Sequence, residues 1–188
     1  MAVEKSPVQW ALTPLKRYAE FSGRSSRAEF WWFTLFIFVI FFVMWFLLVG
    51  SMTGFIAAGA EPNESALQAM GGGMLIFGLF WLAILIPSIA VQVRRVHDGN
   101  RSGWWVGGYY LLYLVYIAMS FTTMMSAVAD STAAAEPNMG MFGMTMVLGL
   151  GLFVYFIVLL VFWILPGTPG DNRYGPDPYG ADVEKVFA

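Results

Sequence analysis

The sequence predicts an all-α integral membrane protein: a four-transmembrane-helix bundle with a short N-terminal interfacial helix and a Pro/Gly-rich C-terminal strap. Three observations carry that prediction. The 188 residues are 59% hydrophobic and only 12% charged, about half the charge expected of a soluble domain. The apolar residues gather in four blocks, each meeting the ~20 residues that a helix needs to cross ~30 Å of hydrocarbon. The basic residues fall in segments that alternate with segments holding none.

Residues 1–29 form a polar leader. Thr13-Pro14 reads as an N-cap followed by an N1 proline, and Leu15, Tyr18 and Ala19 share a face at i, i+3, i+4. Lys16, Arg17 and Glu20 fall largely on the other face, so a short helix in the headgroup region is expected before Gly23 turns the chain into the membrane. The leader shows no short apolar core with a small-residue cleavage site, so no secretory signal is expected.

The membrane domain is expected over 30–165. Its first span, 30–50, is announced by Ser26 as N-cap and Glu29 at N3, a capping box, with Trp31 and Trp32 where an interfacial aromatic belt would lie. The second, 71–93, carries Pro87 near its end, where a kink is expected. The third, 103–125, opens with Ser102 as N-cap and with Trp104 and Trp105 at the interface; the fourth, 141–165, is stopped by Pro166-Gly167. None of these blocks alternates with period 2, as the strands of a membrane barrel must. Residues 166–188, rich in Pro and Gly at their start, predict a turn-rich strap.

Orientation follows from the ten Lys and Arg residues. The leader holds Lys5, Lys16, Arg17, Arg24 and Arg27; the segment between spans two and three holds Arg94, Arg95 and Arg101; the tail holds Arg173 and Lys185. The other two connections hold acids only, Glu61, Glu64, Asp130 and Glu136. The positive-inside rule therefore predicts both termini on the cytoplasmic side of the membrane.

Several chemistries are excluded or disfavoured at once. The chain has no Cys, which removes disulfides, thiol nucleophiles and thiolate metal sites. It has one His, and Asp98 would be that residue's only good neighbouring ligand, so no metal or cofactor is expected. No Asp, Glu, Lys, Arg or His lies centrally in a span, whereas ion-coupled transport needs a midplane group that changes charge.

The segment richest in chemical groups runs from Arg94 to Trp105. If the second helix continues through it, Arg94 pairs with Asp98 at i, i+4, and Gly99 stands where a left-handed C′ residue is wanted. One reading is a compact site at headgroup depth: the guanidiniums of Arg94, Arg95 and Arg101 suit phosphate, and His97 beside Asp98 can exchange a proton near neutral pH. The other reading is topological, with Arg fixing orientation, His97 and Asp98 bonding a tight turn, and Trp anchoring the interface. In the tail, Asp171, Asn172 and Asp177 surround Gly175 without the ligand spacing of an EF-hand, and read as an Asx- and Gly-shaped turn. The tail is acidic where the other two cytoplasmic segments are basic. Asp171 or Asp177 is therefore expected within salt-bridge reach of Arg24, Arg27, Arg94, Arg95 or Arg101. Within the spans, Tyr109, Tyr113 and Tyr116 form a stripe read as packing. Thr145 and Gly149, with Gly107 and Gly108, admit close helix approach.

Three segments together resemble the bacterial inner-membrane family catalogued as domain of unknown function 805. They are Phe21-Ser22-Gly23-Arg24-x-x-Arg27-x-Glu29-Phe30-Trp31, the run Arg94-Arg95-Val96-His97-Asp98-Gly99-Asn100-Arg101-Ser102-Gly103-Trp104-Trp105, and Gly170-Asp171-Asn172-Arg173-Tyr174-Gly175-Pro176-Asp177-Pro178. The resemblance covers about Leu15 to Pro178 and implies a small polytopic inner-membrane protein, without implying a reaction. The function expected is non-enzymatic: a cytoplasmic Arg/His/Asp face that binds an anionic lipid headgroup, a polyanion or a partner protein, with a second copy or another membrane protein as partner and no nucleic acid. The alternatives are a small transporter, channel or lipid-moving protein, and an enzyme of lipid-phosphate chemistry using His97.

Overall fold

A computed structural model of the chain describes residues 6–57, 64–133 and 139–179. Five helices follow in order: α1 (Pro7–Lys16), α2 (Arg27–Ala57), α3 (Glu64–Asp98), α4 (Trp104–Ala133) and α5 (Met139–Ile164). Four of them are long and apolar enough to cross a membrane, with no strand among the described residues. No apolar window is more than 17% buried inside the protein. That much exposed hydrocarbon surface is incompatible with water and is what a bilayer covers. At 1.5 Å per residue the spanning helices run about 39–53 Å, longer than the ~30 Å hydrocarbon core.

The helix ends differ from those expected on hydrophobicity alone. α2 starts at Arg27, α3 continues past Val93 to Asp98, and α4 runs on to Ala133. Charged residues extend α3 because their side chains find partners inside the fold. The acids Glu61 and Glu136, and the terminal Lys5 and Lys185, lie outside the described residues.

Helix α1 begins earlier than Thr13-Pro14. Ser6 is its N-cap: the hydroxyl accepts from Gln9 N at 3.3 Å, while the Gln9 side chain accepts from Ser6 N at 2.9 Å. Pro7 stands at N1, and Pro14 is inside the helix rather than at its start. Thr13 instead bonds back to Gln9 O at 2.7 Å, the ordinary use of a mid-helix threonine.

Pro87 sits inside α3. Lacking an N–H, it leaves the Ala83 carbonyl without its helical donor, and the Tyr18 hydroxyl of the leader supplies the missing bond at 2.5 Å. Leader and span are thus joined at the point where the proline opens the ladder.

The buried core lies at one end of the bundle. Phe30 and Phe33 at the start of α2, Val91, Val93 and Val96 at the end of α3, Val106 at the start of α4, and Leu159 and Trp163 at the end of α5 form a single cluster. Towards the other end α4 and α5 stay close through Thr123 and Thr145, whose hydroxyls are 3.1 Å apart. At Gly149 an added Cβ would lie 3.2 Å from the Tyr116 ring, so the tyrosine stripe packs where small residues leave room.

Candidate functional site

The packed end of the bundle holds the densest set of charges among the described residues. Helix α3 ends there in a Schellman motif: Asn100 N bonds His97 O at 2.9 Å and Arg101 N bonds Val96 O at 3.2 Å. The left-handed residue is Asn100, with φ 54°, and not the expected Gly99. Both tolerate that conformation, and the extra residue sets Asp98 one position further from the turn.

Asp98 is fully buried between two guanidiniums. Arg24 Nε donates to Oδ1 at 2.9 Å, and Arg95 donates to Oδ2. The partner one turn back is therefore Arg95 at i, i+3, not Arg94 at i, i+4. The remaining donors of the two arginines are also used. Arg24 reaches Gly170 O at 2.6 Å and Thr168 O at 2.7 Å, and Arg95 reaches Trp163 O at 3.0 Å and the Leu165 carbonyl. One carboxylate does not neutralise two guanidiniums; Asp177 lies 4.0 Å from Arg24 and brings a second negative charge from the tail.

Arg94 points to the other side of α3. It pairs with Glu29 at 2.8 Å and donates to Glu20 O at 2.6 Å and Arg17 O at 3.3 Å. Ser26 does cap α2, accepting from Glu29 N at 3.1 Å, but the Glu29 carboxylate is given to Arg94 rather than returned to the cap. Arg17 stands 3.8 Å from the same carboxylate and bonds Glu20 at the surface. The hydrogen bond from Arg17 holds the Glu20 carboxyl below its ordinary range.

The tail closes over this arrangement. Thr168 N donates to Asp98 O at 2.9 Å, and Asn172 Nδ2 donates to His97 O at 3.1 Å. Asp171 accepts from Asp177 N at 3.2 Å, and Asp177 from Gly170 N at 3.0 Å, an Asx-stabilised turn in which Gly170 and Gly175 take positive φ. The His97 ring stacks on Tyr174 at 3.8 Å with 5° between planes, its Nδ1 3.3 Å from Gly23 O. At Gly167 an added Cβ would lie 2.1 Å from Asp98 Oδ2. Because that carboxylate is pinned by two arginines, Gly167→Ala is expected to cost about 1–3 kcal/mol or more, measured as a lowered unfolding midpoint in detergent with earlier proteolysis of the tail.

The candidate residues thus separate into two groups. Arg24, Arg95, Asp98, Asn172 and Asp177 converge, with His97 beside them and Arg94 on Glu29. Arg101 does not join them: its guanidinium lies 4.4 Å over the Phe162 ring. Arg27 is exposed, and among the described residues its backbone N–H donates to the Tyr179 hydroxyl at 3.0 Å while its guanidinium makes no ion pair. Trp31, Trp32 and Trp105 are each about two-fifths exposed, and Trp104 is 82% exposed. Glu29, Gly167, Thr168 and Tyr174 complete the site without being expected there from the sequence. Glu29 is hidden by its second role as a helix-start residue, and the others lie in a segment without periodicity.

Chemically, this cluster joins the leader, the end of α3 and the tail. The Asp98 oxygens each take an arginine, His97 is covered by a tyrosine, and its ring approaches a backbone carbonyl. Buried ions of this kind persist when their donors and acceptors are met; among the described residues Arg94 Nε is the guanidinium nitrogen left buried without a partner.

Residues 18–176 match the family described as "Protein of unknown function (DUF805)". The chain is 30% identical over 171 residues to "Inner membrane protein YhaH" of Escherichia coli (strain K12), covering 91% of this chain and 97% of that protein. It is 30% identical over 173 residues to "Inner membrane protein YhaI" of the same strain, covering 91% and 96%. It is 26% identical over 157 residues to "Uncharacterized protein YiiR" of that strain, covering 84% of each. No solved structure matches. Four spanning helices and a match that takes in the leader motif, the α3–α4 turn and most of the tail motif lead to one conclusion: the chain is a membrane protein and belongs to the DUF805 family.

Proposed function

We propose that the protein is a non-enzymatic component of the inner membrane whose cytoplasmic face attracts anionic lipid headgroups. The observation that supports this is the sorting of its cations. Arg24, Arg94 and Arg95 are buried and consumed by internal partners, so they are scaffold and not ligand-binding groups. Lys16, Arg27 and Arg173 are exposed, and Arg101 is half-buried; none of the four is ion-paired among the described residues. Polybasic positions near an anionic leaflet contribute about 1 kcal/mol each.

The same charge distribution supports termini on the cytoplasmic side. Helix α1, which packs near Trp32, Leu35 and Phe36 of α2, suits a position along the interface, where an amphipathic helix is stable. The bonds from Thr168 and Asn172 to the end of α3 support a tail that acts as a strap across this face.

The test is the lipid carried by protein extracted in mild detergent. The variant K16Q/R27Q/R101Q/R173Q should lose roughly tenfold or more of its enrichment in anionic over zwitterionic lipid. Because charge also sets topology, a cysteine at Ser102 must stay inaccessible to an impermeant thiol reagent in sealed cells, while cysteines at Ser65 and Ser131 react. Unchanged enrichment in a correctly oriented variant overturns the proposal.

A further inference from the structure

A cleft of about 310 Å³ opens between α2, α3 and α4 beside the buried cluster. Its polar lining lies towards the end of the bundle that holds the charged cluster. Gln92 lies six residues before the end of α3 and Tyr110 six after the start of α4, each about 9 Å from those ends. Thr34, seven residues into α2, stands at about 10 Å, and Ser88 at about 15 Å. Deeper, at about 21–27 Å, the walls are Phe41, Phe80 and Trp81.

The polar level is not self-sufficient. Gln92 Nε2 donates to the Tyr110 hydroxyl at 3.0 Å. The second amide hydrogen and the carbonyl of Gln92, and the hydroxyl proton of Tyr110, have no partner among the described residues. In hydrocarbon no water is at hand to satisfy them, and each unmet group is costly. Two donors facing a cleft suit a carbonyl acceptor. Arg27 precedes Thr34 by seven residues, so the two share a face of α2, and the Arg27 guanidinium is exposed and not ion-paired among the described residues.

From the bundle end inwards the order is therefore cation, hydrogen-bond donors, apolar walls. A glycerophospholipid presents phosphate, ester carbonyl and acyl chain in that same order. We infer that this cleft is a site for one glycerophospholipid: phosphate at Arg27, an ester carbonyl at Gln92 and Tyr110, and the chain between Phe41, Phe80 and Trp81. The volume falls at the lower end of ligand pockets, which are mostly apolar with a few placed polar groups and form between the helices of bundles. The inference rests on the headgroup reading above and gives it a defined position.

The test uses the full chain in detergent, delipidated and titrated with phosphatidylglycerol or diacylglycerol, with bound lipid counted by native mass spectrometry. Wild type should bind one phosphatidylglycerol more tightly than diacylglycerol. Q92L/Y110F should weaken phosphatidylglycerol binding about tenfold or more, from the loss of two hydrogen bonds. R27Q should weaken phosphatidylglycerol and leave diacylglycerol unchanged. Since Gln92–Tyr110 also ties α3 to α4, Ser88→Leu provides a second variant that fills the cleft and keeps that bond; it should weaken both lipids. Wild-type affinity in Q92L/Y110F and Ser88→Leu overturns the cleft, and equal binding of both lipids with no effect of R27Q overturns the phosphate assignment. If the four-cation variant loses anionic enrichment while the cleft variants behave as wild type, the surface reading stands and this inference fails. If Q92L/Y110F and Ser88→Leu lose their lipid while K16Q/R101Q/R173Q, which spares Arg27, keeps wild-type anionic enrichment, the surface reading fails instead.

Discussion

Asp98→Ala should cost about 3–5 kcal/mol of stability, the range seen when one partner of a buried ion pair is removed. Arg24 and Arg95 would then face each other without their shared carboxylate, both under a tenth exposed. Asp177, 4.0 Å from Arg24 and partly exposed, compensates one guanidinium weakly and the other not at all. The tail is expected to loosen first, because Thr168 and Gly170 are held by the same Arg24 that Asp98 orients. Denaturant titration in micelles should show a lowered midpoint, and limited proteolysis should cut the tail before the spans. Asp98→Asn keeps the shape and removes the charge, so it should retain the Thr168 contacts to the Asp98 backbone yet still lose most of the stability. A loss under about 1 kcal/mol would mean that the two arginines reach solvent, as surface pairs do.

The spans were legible because a bilayer imposes a length and a polarity that composition alone reveals, and four apolar blocks gave four helices. Local chemistry was legible where a residue serves a single purpose, as when Ser26 caps α2 and Gly23 takes the positive φ of a turn. It failed where two sites compete. Helix α1 carries its start in Ser6-Pro7-Val8-Gln9, a capping box with an N1 proline, yet Thr13-Pro14 offers the same signal seven residues later. Helical spacing admits Asp98 to Arg94 and Arg95 alike. The choice falls on Arg95 because Glu29, distant in sequence, claims Arg94. Pairings between segments dozens of residues apart have no periodicity to announce them. Charge sign said that tail and arginines should meet; it did not say that Asp98 would be the hub.

The second large effect is expected at Arg94 and Glu29, and it should be asymmetric. Glu29→Gln removes one charge from a buried pair, leaving Arg94 its bonds to Glu20 O and Arg17 O. Arg94→Gln loses those bonds as well, and leaves Glu29 with only Arg17 at 3.8 Å. Each change should cost about 3–5 kcal/mol, with Arg94→Gln the larger. The double variant should cost less than the sum of the singles, by a coupling of about 0.5–3 kcal/mol, since two amides can bond where a lone charge cannot. The readout differs from that of Asp98. Arg94 ties the leader to α3, so its loss should expose cleavage sites near Arg17 and Glu20 while the tail keeps its protection. Ser25 N still bonds Arg94 O in every variant, which holds the start of α2 in register and makes the leader upstream of it the part that is freed. Additive singles, or cleavage of the tail in place of the leader, would show that the two arms of the cluster are not separately anchored.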